Sequence, residues 1–252
     1  MPGLGVPEQV FAFLLVFARL GTMIMLLPAL GETSVPPRVR LALALAISLV
    51  ILALVQPALP AMPDQVFPLF FLLFGEIVIG LFVGASARLL MSALHVAGTV
   101  IAYHTGLAAA QAFDPAQGAQ SAIFSSFLTL IGVTLIFVTG LHHVMLGAMY
   151  ESYTLFPPGD LPMTSDFAMM ATRTVAQSFR LGLQMSAPFL VYGLIFNIGL
   201  GLVARLMPQL QVFFIAMPLN IMLGFAILMF VLATIMAWFL RHVEETVTLF
   251  LL

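Results

Sequence analysis

Hydrophobic and polar positions alternate along this chain in long blocks, with six apolar runs separated by short polar stretches. The runs cover 10–30, 41–55, 66–103, 122–141, 181–202 and 212–240. Each is continuous rather than strictly alternating, so the pattern predicts helices and not strands. The first is long enough to cross a hydrocarbon core of roughly 30 Å at about 1.5 Å per residue. Arg19 stands near its middle. A guanidinium at that depth needs compensation, either from a neighbouring side chain or from a ligand or ion, and a structural pair is the simpler reading. The 66–103 run would reach roughly 57 Å as one straight helix. It must therefore bend, divide or project from the bilayer. Its only charges, Glu76 and Arg88, are too far apart to pair on one helix, which leaves Arg19 as a candidate partner for Glu76. Gly80 and Gly84 have the small-residue spacing that lets helix backbones approach, and His95 reads as a packing residue.

The polar stretches carry the turns. Residues 31–40 hold Pro36, Pro37, Arg38 and Arg40, and the 56–65 linker holds Pro57, Pro60 and Pro63, so it is not helical throughout. The 104–121 stretch contains one formal charge, Asp114, together with three glutamines, Gly106, Gly118 and Pro115. Asp114-Pro115 favours a turn. Two readings are open for it: a solvated hairpin tip, or a gate or filter, because irregular backbone is tolerated at membrane depth where protein buries it or where it lines a cavity. His142 and His143 close the fourth run, where a helix C-terminus would favour positive charge. Adjacent histidines diverge on a helix, which argues against a metal site. Thr164-Ser165-Asp166 can cap an amphipathic helix over 167–180, with Arg173 and Arg180 on one face. Pro188 and Pro218 lie inside the last two runs and Pro208 lies between them.

Composition fixes the solvent. Apolar residues make up 62% of the chain, charged residues 7%, and the mean hydropathy is +1.17. A water-soluble globule could not cover itself with so few polar groups. The expected fold is all-α: integral membrane-type helical hairpins, some helices bent or broken. Hairpins over 10–55, 66–141 and 165–240 would have tips at 31–40, 104–121 and 203–211. The tips carry Arg38, Arg40 and Arg205, against Arg241 alone on the other side, and the positive-inside rule then places the tips in the cytoplasm. The N-terminal nine residues have no basic residue, so the first run is expected to stay in the mature protein.

Several chemistries have no carrier. There is no cysteine for a disulfide, thiol nucleophile or thiolate site, and all eight basic residues are arginine with no basic tract for nucleic acid. No nucleophile elbow, metal motif or phosphate-binding glycine loop occurs. The glycines at 199 and 201 lack the preceding strand and third glycine of a dinucleotide site. Neither a catalytic residue nor a cofactor or metal ligand is expected.

The motifs do coincide in one place. Phe17-Ala18-Arg19, Pro28 and Gly31, Val35-Pro36-Pro37-Arg38-Val39-Arg40-Leu41 and Gly75-Glu76-Ile77-Val78-Ile79-Gly80 resemble the FliR family of flagellar biosynthesis proteins. So do Gly106 with Asp114-Pro115 and Gln120-Ser121, and Asn197-Ile198-Gly199-Leu200-Gly201 with Arg205, Pro208-Gln209 and Phe213. The likeness runs in order from about residue 10 to about residue 225. The related injectisome subunits share much of it, while the 35–41 stretch reads as flagellar.

That resemblance implies a subunit of the flagellar type III export gate, required for flagellum assembly, in the bacterial inner membrane at the basal body and raised in part toward the periplasm. It implies FliP-like and FliQ-like partners that complete a helical ring, FlhB-like and FlhA-like neighbours, membrane lipid around the complex, and unfolded exported proteins as cargo. A loop that plugs the pore maps onto 106–120, with Phe113 as its bulk, Asp114 and Pro115 as its turn, and Gly106, Gly118 and Gln120 as its flexible part. Arg19, Glu76, Arg88 and Arg205 are expected to be buried charges that lock helices or subunits together. Pro36, Arg38, Arg40, Asn197, Pro208 and Gln209 form the hairpin-tip motifs. His104 stands where relatives are expected to carry glutamine. An injectisome export-gate subunit is the alternative, and a stand-alone secondary transporter with helices broken at the three prolines is a further one.

Overall fold

The computed structural model describes residues 5–32, 35–107, 123–159, 164–209 and 212–248, and among them every regular element is helical. α1 is Val6–Leu26, α2 Pro37–Val55, α3 Val66–His104, α4 Ile123–Val138, α5 Leu141–Leu155, α6 Thr164–Leu206 and α7 Val212–Thr248. Five helices are long and apolar enough to cross a membrane, and α4 with α5 makes up to six if that broken pair is one span. The all-α membrane-type class read from the sequence is thus borne out.

Local chemistry explains the ends. Pro7 lies in the first turn of α1, and the Glu8 carboxylate accepts the Gly5 N–H at 2.8 Å, placing negative charge at the positive end of the helix. Pro37 opens α2 at a position whose N–H has no intrahelical partner to lose. A 3-10 turn at Gln56–Ala58 ends it where the prolines begin.

One expectation narrows and two change. Of the three options for the 66–103 run, division drops out: α3 is one helix of 39 residues, roughly 58 Å at about 1.5 Å per residue. The amphipathic 167–180 stretch is not a separate element either, because α6 continues from Thr164 through it for 43 residues. Pro188 and Pro218 sit inside α6 and α7, so of the three prolines in the transporter reading only Pro208 lies outside a helix. A proline removes one ladder hydrogen bond, and a long apolar helix tolerates that where neighbouring groups meet the freed carbonyl.

The histidine pair moves from one helix end to the other. The break falls at Thr139-Gly140, with Gly140 in the left-handed region (φ 77°) as the residue before α5. His142 and His143 therefore occupy the first turn of α5 and not the last turn of the preceding helix, where the dipole would have favoured positive charge. Their rings lie 3.9 Å apart, with Phe137 5.2 Å from His142.

The chain forms two compact units. One comprises residues 1–90, 136–175 and 242–252; the other comprises 91–135 and 176–241. α3, α4, α6 and α7 contribute residues to both. In the first unit Leu15, Val16, Leu20, Met23 and Ile24 of α1 are fully buried. α1 meets α3 at Gly80 and Gly84, where an added methyl would collide with Thr22 and the Arg19 carbonyl, or with Leu26 and Met23. The spacing reading of those two glycines therefore stands. In the second unit Leu94, Ile101, Leu128, Met185, Phe189 and Phe239 form the core. There α3 approaches α4 through Gly98, whose missing side chain leaves room for the Ser125 backbone.

Candidate functional site

Two polar clusters stand out against the apolar interior, one in each unit. In the first unit Arg19 is completely buried and Glu76 nearly so. The guanidinium donates from Nε to Glu76 Oε2 at 2.5 Å and from Nη2 to Oε1 at 3.0 Å, a bidentate pairing that matches the carboxylate's geometry. Nη1 donates to the Ser152 carbonyl at 2.9 Å. That carbonyl, near the end of α5, also accepts the Phe156 N–H at 3.0 Å, so the guanidinium uses its second lone pair. The guanidinium also lies 4.2 Å from the centre of the Tyr153 ring, within cation–π range. One arginine thus ties α1 to α3 and α5. Nothing in this arrangement offers an open coordination position or a nucleophile. It is built to hold.

The second cluster surrounds the point where the chain leaves α3. His104 is the last residue of that helix, Thr105 is 1% exposed, and Gly106 adopts φ 75°, the left-handed conformation in which glycine carries no steric penalty. The Asn220 amide of α7 donates to the His104 carbonyl at 3.3 Å. The Tyr192 hydroxyl of α6 donates to Asn220 Oδ1 at 2.7 Å, and with the acceptor-only His104 carbonyl on the other side the carboxamide has one orientation that satisfies both. Two glycines make the seat. At Gly193 the space of an absent side chain is taken by the His104 ring, and at Gly224 by Thr105. Three helices therefore converge on residues 104–106 through neutral hydrogen bonds.

The remaining predicted site residues are dispersed. Gly106 is the one residue of the expected plug that can be placed; Phe113, Asp114, Pro115, Gly118 and Gln120 lie outside the described residues. Arg88 and Arg205, expected to be buried charges, are exposed in this chain. Arg88 falls on a side of α3 that faces away from the core, and Arg205 lies in the last turn of α6, where positive charge suits the dipole. His95, expected to be a packing residue, also has an exposed side chain; its backbone carbonyl is what takes part in packing, accepting the Ser125 hydroxyl at 3.0 Å. Pro36 precedes α2, Arg38 is exposed, and Arg40 is half-buried. Asn197 is exposed and its amide donates to the Gly193 carbonyl at 2.8 Å. Pro208 and Gln209 follow α6 in exposed positions. Among the described residues no group of three or more histidines and carboxylates could hold a metal ion.

Sequence reasoning gave no role to Tyr192, Asn220, Ser152 or Tyr153. The signal was present for two of them. A tyrosine and an asparagine inside apolar runs are polar groups at membrane depth, which by default deserve a named partner.

Long apolar helices, one bidentate buried ion pair and a neutral clasp, without a reaction centre among the described residues, define a helical membrane protein whose polar groups join helices. Residues 10–246 match the family described as Bacterial export proteins, family 1. The chain belongs to that family. It is 40% identical over 237 residues to the flagellar biosynthetic protein FliR of Caulobacter vibrioides, covering 94% of each chain. It is 32% identical over 240 residues to FliR of Aquifex aeolicus, covering 94% of this chain and 92% of that one. The secretion system apparatus protein SsaT of Salmonella typhimurium is 27% identical over 224 residues, covering 85% and 84%. The FliR resemblance read from the motifs is borne out.

Proposed function

We propose that this chain is a subunit of the flagellar type III protein export gate, a structural component and not an enzyme, seated in the bacterial inner membrane. The observation that carries this reading is the match to a flagellar FliR protein along nearly the full length of both chains. In this reading it completes a ring with FliP-like and FliQ-like subunits beside FlhA-like and FlhB-like neighbours, and segment 106–120 plugs the passage taken by unfolded exported proteins. Closure would come from small apolar residues that exclude water and ions.

Two features of the chain support a shared assembly. α6 carries a long exposed apolar surface, including Val191, Leu194, Ile195, Ile198 and Leu202. Gly199 and Gly201 on the same stretch have nothing within 4 Å. Small residues with exposed Asn197 and Arg205 suit a neighbouring helix better than lipid tails, which gain nothing from a polar amide. The likeness to SsaT favours a second reading as an injectisome subunit, but at lower identity than FliR of Caulobacter vibrioides or Aquifex aeolicus.

The test is co-purification. The tagged chain, expressed with FliP-like and FliQ-like partners, should migrate with them on a native gel, and Arg205→Ala should lose that complex. A chain that is stable alone and binds a small solute would support a transporter instead. For the plug, deletion of 106–120 should make the assembled channel leak ions; unchanged conductance refutes that assignment.

A further inference from the structure

We propose that Tyr192 and Asn220 form a clasp on the root of the 106–120 segment and fix the direction in which the chain leaves α3. The inference deepens the gate reading and rests on it for its consequence, though the clasp itself rests on described residues alone.

The last turn of a helix leaves carbonyls without intrahelical donors. At the end of α3 the His104 carbonyl is met by a side chain from another helix, the Asn220 amide. A carboxamide can present its nitrogen or its oxygen to a neighbour. The His104 carbonyl can only accept, so it takes the Nδ2 face, and the Tyr192 hydroxyl, 2.7 Å from Oδ1 and 3.3 Å from the Asn220 carbonyl, donates to the oxygen on the other side and holds the carboxamide in that pose. The ring that carries the hydroxyl packs 5.6 Å from Phe196 one turn further along α6. The backbone is prepared on the other side of the contact. Gly106 turns through a left-handed conformation, and a methyl group at that position would approach Asn220 Nδ2 to 2.9 Å. Thr105 is locked by burial against Gly224, with its hydroxyl donating to the Ala102 carbonyl at 3.3 Å.

A helix end held only by its own backbone would fray through Gly106, because a glycine in the left-handed region is one step from many other conformations. The clasp removes that freedom at the one point where the segment's direction is decided. It does so with neutral hydrogen bonds, each of modest net strength. A root held this way is defined when at rest and can be released, which a buried ion pair in the same place would not allow. Tyr192 and Asn220 are positioning residues: they act through the His104 carbonyl and not on any cargo.

The experiment uses the full chain in the assembled complex, comparing Tyr192→Phe, Asn220→Ala and deletion of 106–120 with the unaltered protein. Two readouts are taken, amide hydrogen exchange of a peptide covering 100–107 and ion conductance of the closed complex. Tyr192→Phe keeps the ring and its packing, so it separates the clasp from folding. It should speed exchange at Thr105–Leu107 by about fivefold, the effect of one lost hydrogen bond of ordinary strength on a local opening equilibrium. Asn220→Ala should do more, and both should leak, less than the deletion does. Exchange unchanged in both variants overturns the clasp. Exchange that quickens while the complex stays sealed overturns its link to closure, and a leaking deletion then leaves the gate reading intact. A deletion that fails to leak overturns the gate reading instead, and the exchange rates alone then decide the clasp.

Discussion

The two polar clusters solve one problem, satisfying polar groups inside an apolar protein, with opposite chemistry. Around Arg19 the groups are fully charged, fully buried and joined by a bidentate pair, a carbonyl contact and an aromatic face. Around His104 and Asn220 they are neutral, part-buried and joined singly. Charge makes the first arrangement expensive to open, because either partner alone would be left ionised in a low-dielectric interior. Neutrality makes the second cheap to open. The first cluster ties three helices of one unit together, while the second holds the start of a segment that the gate reading requires to move. The difference teaches that in this chain charge goes with a joint that is costly to open, and the amide and hydroxyl with one that opens at lower cost.

The largest expected effect breaks the fixed joint. Arg19→Ala or Glu76→Ala alone should destabilise the protein by about 3–5 kcal/mol, since each leaves the other charge buried and unpaired. The double change Arg19→Met with Glu76→Leu should recover most of that loss, because an apolar pair of similar volume has no charge to desolvate. The measurement is chemical denaturation of the purified membrane protein for the three variants. A double variant as unstable as the singles would show that the Ser152 and Tyr153 contacts, and not the ion pair, hold the helices.

Much of this was legible in the sequence, and the reasons for the rest are physical. Apolar run length predicted helices because a bilayer leaves the backbone no other partner. Arg19 and Glu76 could be matched because a charge in an apolar run must find its opposite somewhere. The same logic finds no partner within this chain for Arg88 and Arg205, which are exposed: an arginine in an apolar helix can equally face outward, and one sequence does not show which face is covered. Helix ends were missed where a rule was locally true but globally overruled: the transporter alternative took prolines 188 and 218 as breaks, and Gly140 did not read as one. The clasp was out of reach because it joins residues 104, 192 and 220, and no local spacing links them. Glycine 193 and glycine 224 look like any others in the sequence; their meaning is the bulk of the residues opposite.

Glycine contacts give the next largest effects and sharpen the contrast within the chain. Gly80→Val in the first unit and Gly98→Val in the second should each cost about 1–3 kcal/mol through overpacking, since the added atoms would press on the Arg19 carbonyl or the Ser125 backbone. Gly199→Ala and Gly201→Ala meet nothing within 4 Å and should stabilise the isolated chain by up to about 1 kcal/mol through helix propensity. Thermal denaturation of the chain alone reads both sets. A fifth variant, run on a native gel with FliP-like and FliQ-like partners, tests the proposed assembly face. There Gly199→Leu should reduce complex formation although the chain by itself tolerates it, and undiminished complex would remove that stretch of α6 from the interface.

The smallest effect probes the neutral region at a place with a spare partner. Ser125 is completely buried, and its hydroxyl donates to the His95 carbonyl at 3.0 Å while lying 3.3 Å from the Thr99 hydroxyl. Thr99 also donates to that carbonyl, at 2.8 Å. Ser125→Ala therefore removes one hydrogen bond without orphaning the acceptor, and the cost should stay near the lower end for such a bond, about 0.5–1 kcal/mol. Thr99→Val should cost the same for the same reason. Removing both hydroxyls should cost little more than their sum, because a helix carbonyl retains its backbone donor. A loss from Ser125→Ala as large as that from Arg19→Ala would erase the distinction between charged and neutral joints, since it would make burial alone, and not charge, the quantity that decides which contacts this protein can open.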